Sequence, residues 1–144
     1  MAVRSDQANG NWAITNEARP IPVSTWQVPA DAFCNKGGRF GPQQQAETVN
    51  GRLNRFEDRL AWVADFNAGV RLVDLSDPYN PLEVGYYVPK PTEQSHPVEK
   101  EGQGIAIQTN DVDLDGRGLA YATDRTGAGL FILQHTGTTA RSGT

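Results

Sequence analysis

Along most of this chain apolar residues alternate with polar or small ones, at a period of two rather than the 3.6 of a helix. Leu60, Trp62 and Ala64 interleave with Ala61, Val63 and Asp65, and Val70, Leu72 and Asp74 interleave with Arg71, Val73 and Leu75. Short runs rich in Val, Ile, Leu, Trp and Tyr, punctuated by Gly, Pro, Asn and Asp, predict strands. They are Trp12–Thr15, Ile21–Val28, Gln45–Val49, Leu60–Asp65, Val70–Leu75, Leu82–Val88, Gly104–Asp111, Leu119–Asp124 and Gly129–Gln134. No segment keeps an apolar helical face, and the best helix candidate, Gln43 to Val49, is short and weakly apolar.

The links between these runs have turn chemistry. In Asp77-Pro78-Tyr79-Asn80-Pro81 the aspartate can accept a bond from its own following backbone, and Pro78 pre-sets φ for the first central residue. Neither proline suits a strand interior. Asn67-Ala68-Gly69 and Thr126-Gly127-Ala128-Gly129 read as hairpin loops whose glycines supply positive φ.

The pattern also recurs at about sixty residues. Leu60-Ala61-Trp62-Val63-Ala64-Asp65 returns as Leu119-Ala120-Tyr121-Ala122-Thr123-Asp124, and Gly69-Val70-Arg71-Leu72-Val73 as Gly129-Leu130-Phe131-Ile132-Leu133. Upstream, Ile14-Thr15-Asn16 through Pro20-Ile21-Pro22-Val23 aligns with Leu75-Ser76-Asp77 through Pro81-Leu82-Glu83-Val84. Four strands fit each period, which is the signature of antiparallel propeller blades. The expected fold is therefore all-β: four-stranded antiparallel β-propeller-type blades, about two of them, an incomplete propeller. The chain starts just before the second strand of one unit and stops after the second strand of a later one. It divides into a polar segment 1–11, a partial propeller 12–137 with units near 12–59, 60–118 and 119–137, and a polar tail 138–144. Rings of this kind close with about four to eight blades. Open sheet edges thus call for missing blades of a longer chain or for other copies of this one. The long links Ala30–Gln44 and Lys90–Gln103 hold the same place in successive units and should emerge on one rim.

Bulk numbers exclude some classes. With 13 basic and 17 acidic residues the net charge is −4, which gives no electrostatic drive toward nucleic acid. No apolar run approaches the ~20 residues of a membrane-spanning helix. The N-terminal residues lack the apolar stretch of a secretory signal. The one cysteine, Cys34, rules out an internal disulfide and a Cys-rich zinc cluster, and reads as a small buried hydrophobe.

Ala61-Trp62-Val63-Ala64-Asp65, Gly69-Val70-Arg71-Leu72-Val73-Asp74-Leu75-Ser76-Asp77-Pro78, Asn80-Pro81 and Val84-Gly85-Tyr86-Tyr87 together resemble the repeat of the LVIVD-repeat β-propeller proteins. The resemblance is close over residues 60–88, partial at 119–133 and weak at 12–28. Arg39-Phe40-Gly41-Pro42 and the ending Gly129 to Gly137 resemble the C-terminal part of longer members. Where such members carry a histidine after Arg-Phe-Gly-Pro, this chain has Gln43. The resemblance implies a propeller, and often an exported, periplasmic or extracellular, protein. It implies no reaction, and fold alone supplies none.

The candidate metal ligands are Asp111, Asp113 and Asp115, which alternation places on one side of a strand. A hard cation such as Ca²⁺ would offset three like charges there. The spacing departs from a full EF-hand loop, which needs an acid where Ala122 stands. The competing reading is a solvated hairpin arm turning at Asp115-Gly116-Arg117-Gly118, with Arg117 and Arg125 as counter-charges. Candidate ligand- or partner-binding residues are Arg39, Glu47, Asn67, His96 and Arg125, in or beside loops expected to share a rim. Asp65 and Asp124 end their strands before glycine loops and read as caps of the turn backbone. Trp12, Trp26, Trp62, Tyr86, Tyr87 and Tyr121 read as packing between blades. No catalytic residues are assigned. The expected function is a non-enzymatic binding or scaffold module working through rim loops. The alternative is a metal-dependent, enzyme-like propeller with a rim site using Asp111, Asp113, Asp115, Glu47 or His96.

Overall fold

The computed structural model describes residues 2–6, 11–16, 19–47, 59–97 and 104–137, with side chains from residue 22 onward. The chain is all-β. Among the described residues ten strands run in order: β1 (Ala2–Asp6), β2 (Asn11–Asn16), β3 (Arg19–Thr25), β4 (Gln44–Gln45), β5 (Leu60–Asp65), β6 (Gly69–Asp74), β7 (Leu82–Tyr87), β8 (Thr109–Leu114), β9 (Leu119–Asp124) and β10 (Leu130–Gln134). Among the described residues the one helical element is a single 3₁₀ turn, Ala30–Ala32. No described helix is long and apolar enough to cross a membrane.

The strands form three antiparallel sheets: an N-terminal one ordered β1-β2-β3, a central one ordered β4-β5-β6-β7, and a C-terminal one ordered β10-β9-β8. Alternation decides the faces. In the central sheet Trp62 pairs with Leu72 and Ala64 with Val70. Their common face packs on Val112, Leu114, Ala120 and Ala122 of the C-terminal sheet, and these eight side chains form the buried core. Alanine at three of the facing positions lets the sheets approach, while each large side chain removed from water contributes roughly 1.5–3 kcal/mol. The opposite face of the central sheet carries Val63, Arg71 and Val73, also buried. The Arg71 guanidinium there stacks on Phe33, whose ring lies parallel to that of Phe40 at 6.2 Å. Covered on both sides, every residue of β6 is buried.

The predicted turns form. Asp77 accepts from Tyr79 N (3.1 Å) through its carboxylate and from Asn80 N (3.0 Å) through its carbonyl. Gly69, Gly127 and Gly129 take φ of 81°, 93° and 109°.

Several expectations need correction. The strand expected over Gly104–Asp111 begins only at Thr109 and runs on to Leu114. Gln108 N donates to the Asp124 carboxylate instead of to a ladder, and Val112 and Leu114 continue the inward alternation beyond Asp111. The strand expected over Ile21–Val28 ends at Thr25. That over Gln45–Val49 is reduced to the short β4 at Gln44–Gln45, and positions 48 and 49 lie outside the described residues. The helix candidate starting at Gln43 is extended where described: Gln43 N donates to Ala64 O and Ala46 N to Trp62 O, both from the neighbouring strand. Cys34 is exposed rather than buried, because it sits in the turn closing the 3₁₀ segment, where Cys34 N donates to Ala30 O. Tyr86, read as packing, is 71% exposed. Tyr87 does touch the facing sheet, at 5.8 Å from the Phe131 ring. Trp12 has no described side chain.

Candidate functional site

At one end of the two packed sheets the loops are tied into a rim. Asp65 ends β5 and Asp124 ends β9, and each carboxylate takes the backbone N–H of a segment arriving from elsewhere. Gly41 N reaches Asp65 Oδ1 at 3.0 Å, and Gln108 N reaches Asp124 Oδ1 at 2.7 Å. Asp124 also caps its own turn, since Oδ2 accepts from Thr126 N (2.8 Å), Thr126 Oγ1 (2.6 Å) and Ala128 N (2.9 Å). The capping expected from the sequence thus holds for Asp124. The carboxylate of Asp65 instead ties in the incoming loop.

Gln108, fully buried, joins the two sheets. Its Oε1 accepts from Arg39 N (2.8 Å), and its Nε2 donates to Arg39 O (3.2 Å) and Ile107 O (2.7 Å). Its own carbonyl accepts from Arg125 N at 3.1 Å. Gly38 makes room for the amide: at φ +67° a Cβ there would stand 2.4 Å from Gln108 Nε2. Asn67 N donates to Arg39 O (3.2 Å), while Asn67 Nδ2 donates to Phe33 O (3.0 Å) and Gly37 O (2.9 Å). His96 N donates to Thr126 O at 2.8 Å.

Of the five rim residues expected from the sequence, four are brought together: Arg39 and Arg125 through Gln108, Asn67 through Arg39, and His96 through Thr126. Arg39, His96 and Arg125 are exposed, whereas Asn67 is buried as a brace. Glu47 is not among them. It follows Ala46, whose N–H bonds Trp62 O, so it lies level with Ala61, four residues along β5 from Asp65 and roughly 13 Å away at strand spacing. The three aspartates do not converge either. Asp111 and Asp113 each accept from the N–H of the next residue, Val112 (2.9 Å) and Leu114 (2.8 Å). Asp115 sits in the far hairpin turn, where it accepts from Arg117 N and Leu119 N through Oδ1 and from Arg117 Nε and Tyr121 Oη through Oδ2. Partial desolvation raises this carboxyl, but the bonds from Arg117, Leu119 and Tyr121 together outweigh it and hold it at about 2. Among the described residues no three His, Cys, Asp or Glu side chains come together as a metal cluster.

Two polar residues that the sequence did not single out organise the site. Gln108 is one; its signal was a lone amide closing the apolar run Ile105-Ala106-Ile107. Arg71, a charge inside Gly69-Val70-Arg71-Leu72-Val73, is the other. Buried, it donates from Nε to Ala68 O (3.0 Å) and from Nη1 to Glu83 Oε1 (3.2 Å), between the rings of Phe33 (4.9 Å) and Tyr86 (5.1 Å). Asp65, 1% exposed, is pushed up to about 6 by burial, which outweighs the opposing influence of the Gly41 N–H and Arg71; Glu83 adds a smaller upward push. A carboxyl so enclosed, with Oδ1 already accepting from Gly41, braces the loop. Of the four residues brought together here, Arg39, His96 and Arg125 are the exposed ones.

Comparison of the chain with protein-family models, curated proteins and solved structures returns no match in any of the three.

Proposed function

We propose that this protein is a non-enzymatic binding module whose sheets are propeller-type blades, and that it takes a protein or ligand partner on the loop rim. The observation that carries this reading is the Gln108 clamp. Loops from two sheets are locked by buried amide and carboxylate groups, while three side chains able to contact a partner, those of Arg39, His96 and Arg125, stay exposed. Binding residues held on loops by a rigid scaffold are the usual arrangement in such folds. The order β4-β5-β6-β7, and strand-end aspartates in two successive sheets, support the blade assignment. A ring would need further blades, from a longer chain or from other copies.

The test immobilises the protein and its Arg39→Ala/His96→Ala/Arg125→Ala variant side by side and identifies what each retains. The reading expects a component held by the wild type and lost by the variant, with the two melting at the same temperature. Identical retention by both proteins would sink it.

A further inference from the structure

Among the described residues the C-terminal sheet is one strand shorter than the central one. In the central sheet β7 covers the outer side of β6, whereas β10 is the last strand of its sheet among the described residues. Asp124 N donates to Gly129 O, and in an antiparallel ladder that phase gives the bonds toward β9 to Phe131 and Leu133. The backbone N–H and C=O groups of Leu130, Ile132 and Gln134 therefore point away from β9. Such an edge is a template for another strand.

A space matches this edge. The two sheets pack with β8 against β4 and β5, and Phe131 of β10 touches Tyr87 of β7. A strand added beyond β10 would thus lie over β7. There, between β7 and the end of β10, is a groove of about 400 Å³ with Trp62, Leu72, Val84 and Leu133 in its lining. Gly85 adds no side chain to fill it, and among the described residues no Asp, Glu, Lys or Arg lines it. Leu130 and Ile132, on the other face of β10, are 57% and 58% exposed.

We propose that β10 and this groove accept an extended segment of a partner polypeptide as a fourth strand, with uncharged apolar side chains at alternate positions. Main-chain bonds to Leu130, Ile132 and Gln134 continue the ladder β8 and β9 already make, and the alternate side chains enter the groove. The chain's own answer at the matching place is β7, Leu82-Glu83-Val84-Gly85-Tyr86-Tyr87, which indicates the composition that fits. This site is separate from the rim and stands without it.

The probe is a synthetic peptide of the sequence Pro81 to Val88, added to the full-length protein while amide exchange is followed by NMR. Exchange at Leu130, Ile132 and Gln134 should slow by about tenfold or more at saturating peptide. The same peptide with lysine at its valine and tyrosine groove positions should have no effect. Ile132→Pro removes one outward N–H without breaking a bond to β9 and should abolish the protection. Should that variant fail to fold, Gly85→Val serves instead: a Cβ there meets Leu72 at an ordinary 3.7 Å, so the branched side chain fills the groove. Unchanged exchange with peptide, equal protection by the lysine peptide, or protection that survives both variants would overturn the proposal. So would protection of these amides without peptide together with a dimer in light scattering, which would assign the edge to a second copy.

Discussion

The side-chain amide of Gln108 bonds both backbone polar groups of Arg39, 69 residues away, accepting from its N–H at 2.8 Å and donating to its carbonyl at 3.2 Å. A side chain here does what a neighbouring strand does elsewhere, and it does so with no exposure to water. Truncation removes the acceptor of the part-buried Arg39 N–H, while Arg39 O keeps its bond from Asn67 N, and it opens a cavity. Gln108→Ala should therefore cost about 2–4 kcal/mol in urea unfolding. A loss under about 0.5 kcal/mol, the size of an ordinary surface change, would mean the clamp is dispensable.

Asp65 makes stability depend on pH in an uncommon direction. Its carboxyl is raised to about 6 from 3.8, so the folded chain binds this proton more tightly than the unfolded one. Stability should fall as pH rises from about 4 to about 6 and then level off, a span of about 3 kcal/mol from this residue. Asp65→Asn keeps an acceptor for Gly41 N and cannot ionise. Its unfolding free energy relative to wild type should improve steadily across that window. A difference that stays constant from pH 4 to pH 7 would refute the assignment.

Asp115 behaves in the opposite sense. Its carboxyl, held at about 2, contributes stability above the ordinary carboxylate range that is lost as pH falls through 2. An NMR titration of its side chain should find the midpoint near 2, and Arg117→Ala should move it upward. With Asp115 occupied by Arg117 and Tyr121, and Asp111 and Asp113 bonded to their own strand, millimolar Ca²⁺ should leave the melting temperature of the protein unchanged. A rise of several degrees, reversed by chelator, would favour the metal reading.

Two glycines should respond very differently to the same change. At Gly69, with φ +81°, a Cβ would stand 2.3 Å from Tyr87 O and 2.8 Å from Val88 Cα, both backbone atoms. Gly69→Ala should cost at least about 3 kcal/mol through strain and separation of β6 from β7. At Gly116 a Cβ meets nothing within 4 Å, and Gly116→Ala should stay within about 0.5 kcal/mol. Thermal melts of the two variants would check the contrast.

What could be read in the sequence follows from which forces are local. Alternation at Leu60–Asp65 and Leu119–Asp124 gave those two strands residue for residue, because each places one face in the core. Asp77-Pro78 and the glycines at 69, 127 and 129 announced their turns because their backbone preferences are intrinsic. The start of β8 was not legible, since it depends on Asp124 claiming Gln108 N from 16 residues away. Cys34 was misjudged on the average habit of cysteine, whereas its position is set by a turn. Loop equivalence alone grouped Arg39, Glu47, Asn67, His96 and Arg125 at the rim; Glu47 lies away from the other four, because counting residues does not reveal how far β4 runs down its neighbour. Gln108 and Arg71 escaped because a buried polar residue is justified only by partners distant in sequence.

Cys34 is the chain's one thiol, and it faces solvent on the segment that carries Phe33 over Arg71. In air two molecules can therefore become covalently linked there, giving a dimer unrelated to β10, so assembly measurements belong in reducing buffer. The same thiol accepts a single maleimide dye, whose emission would report directly on whether the segment holding Phe33 and Arg39 stays seated as pH crosses 6.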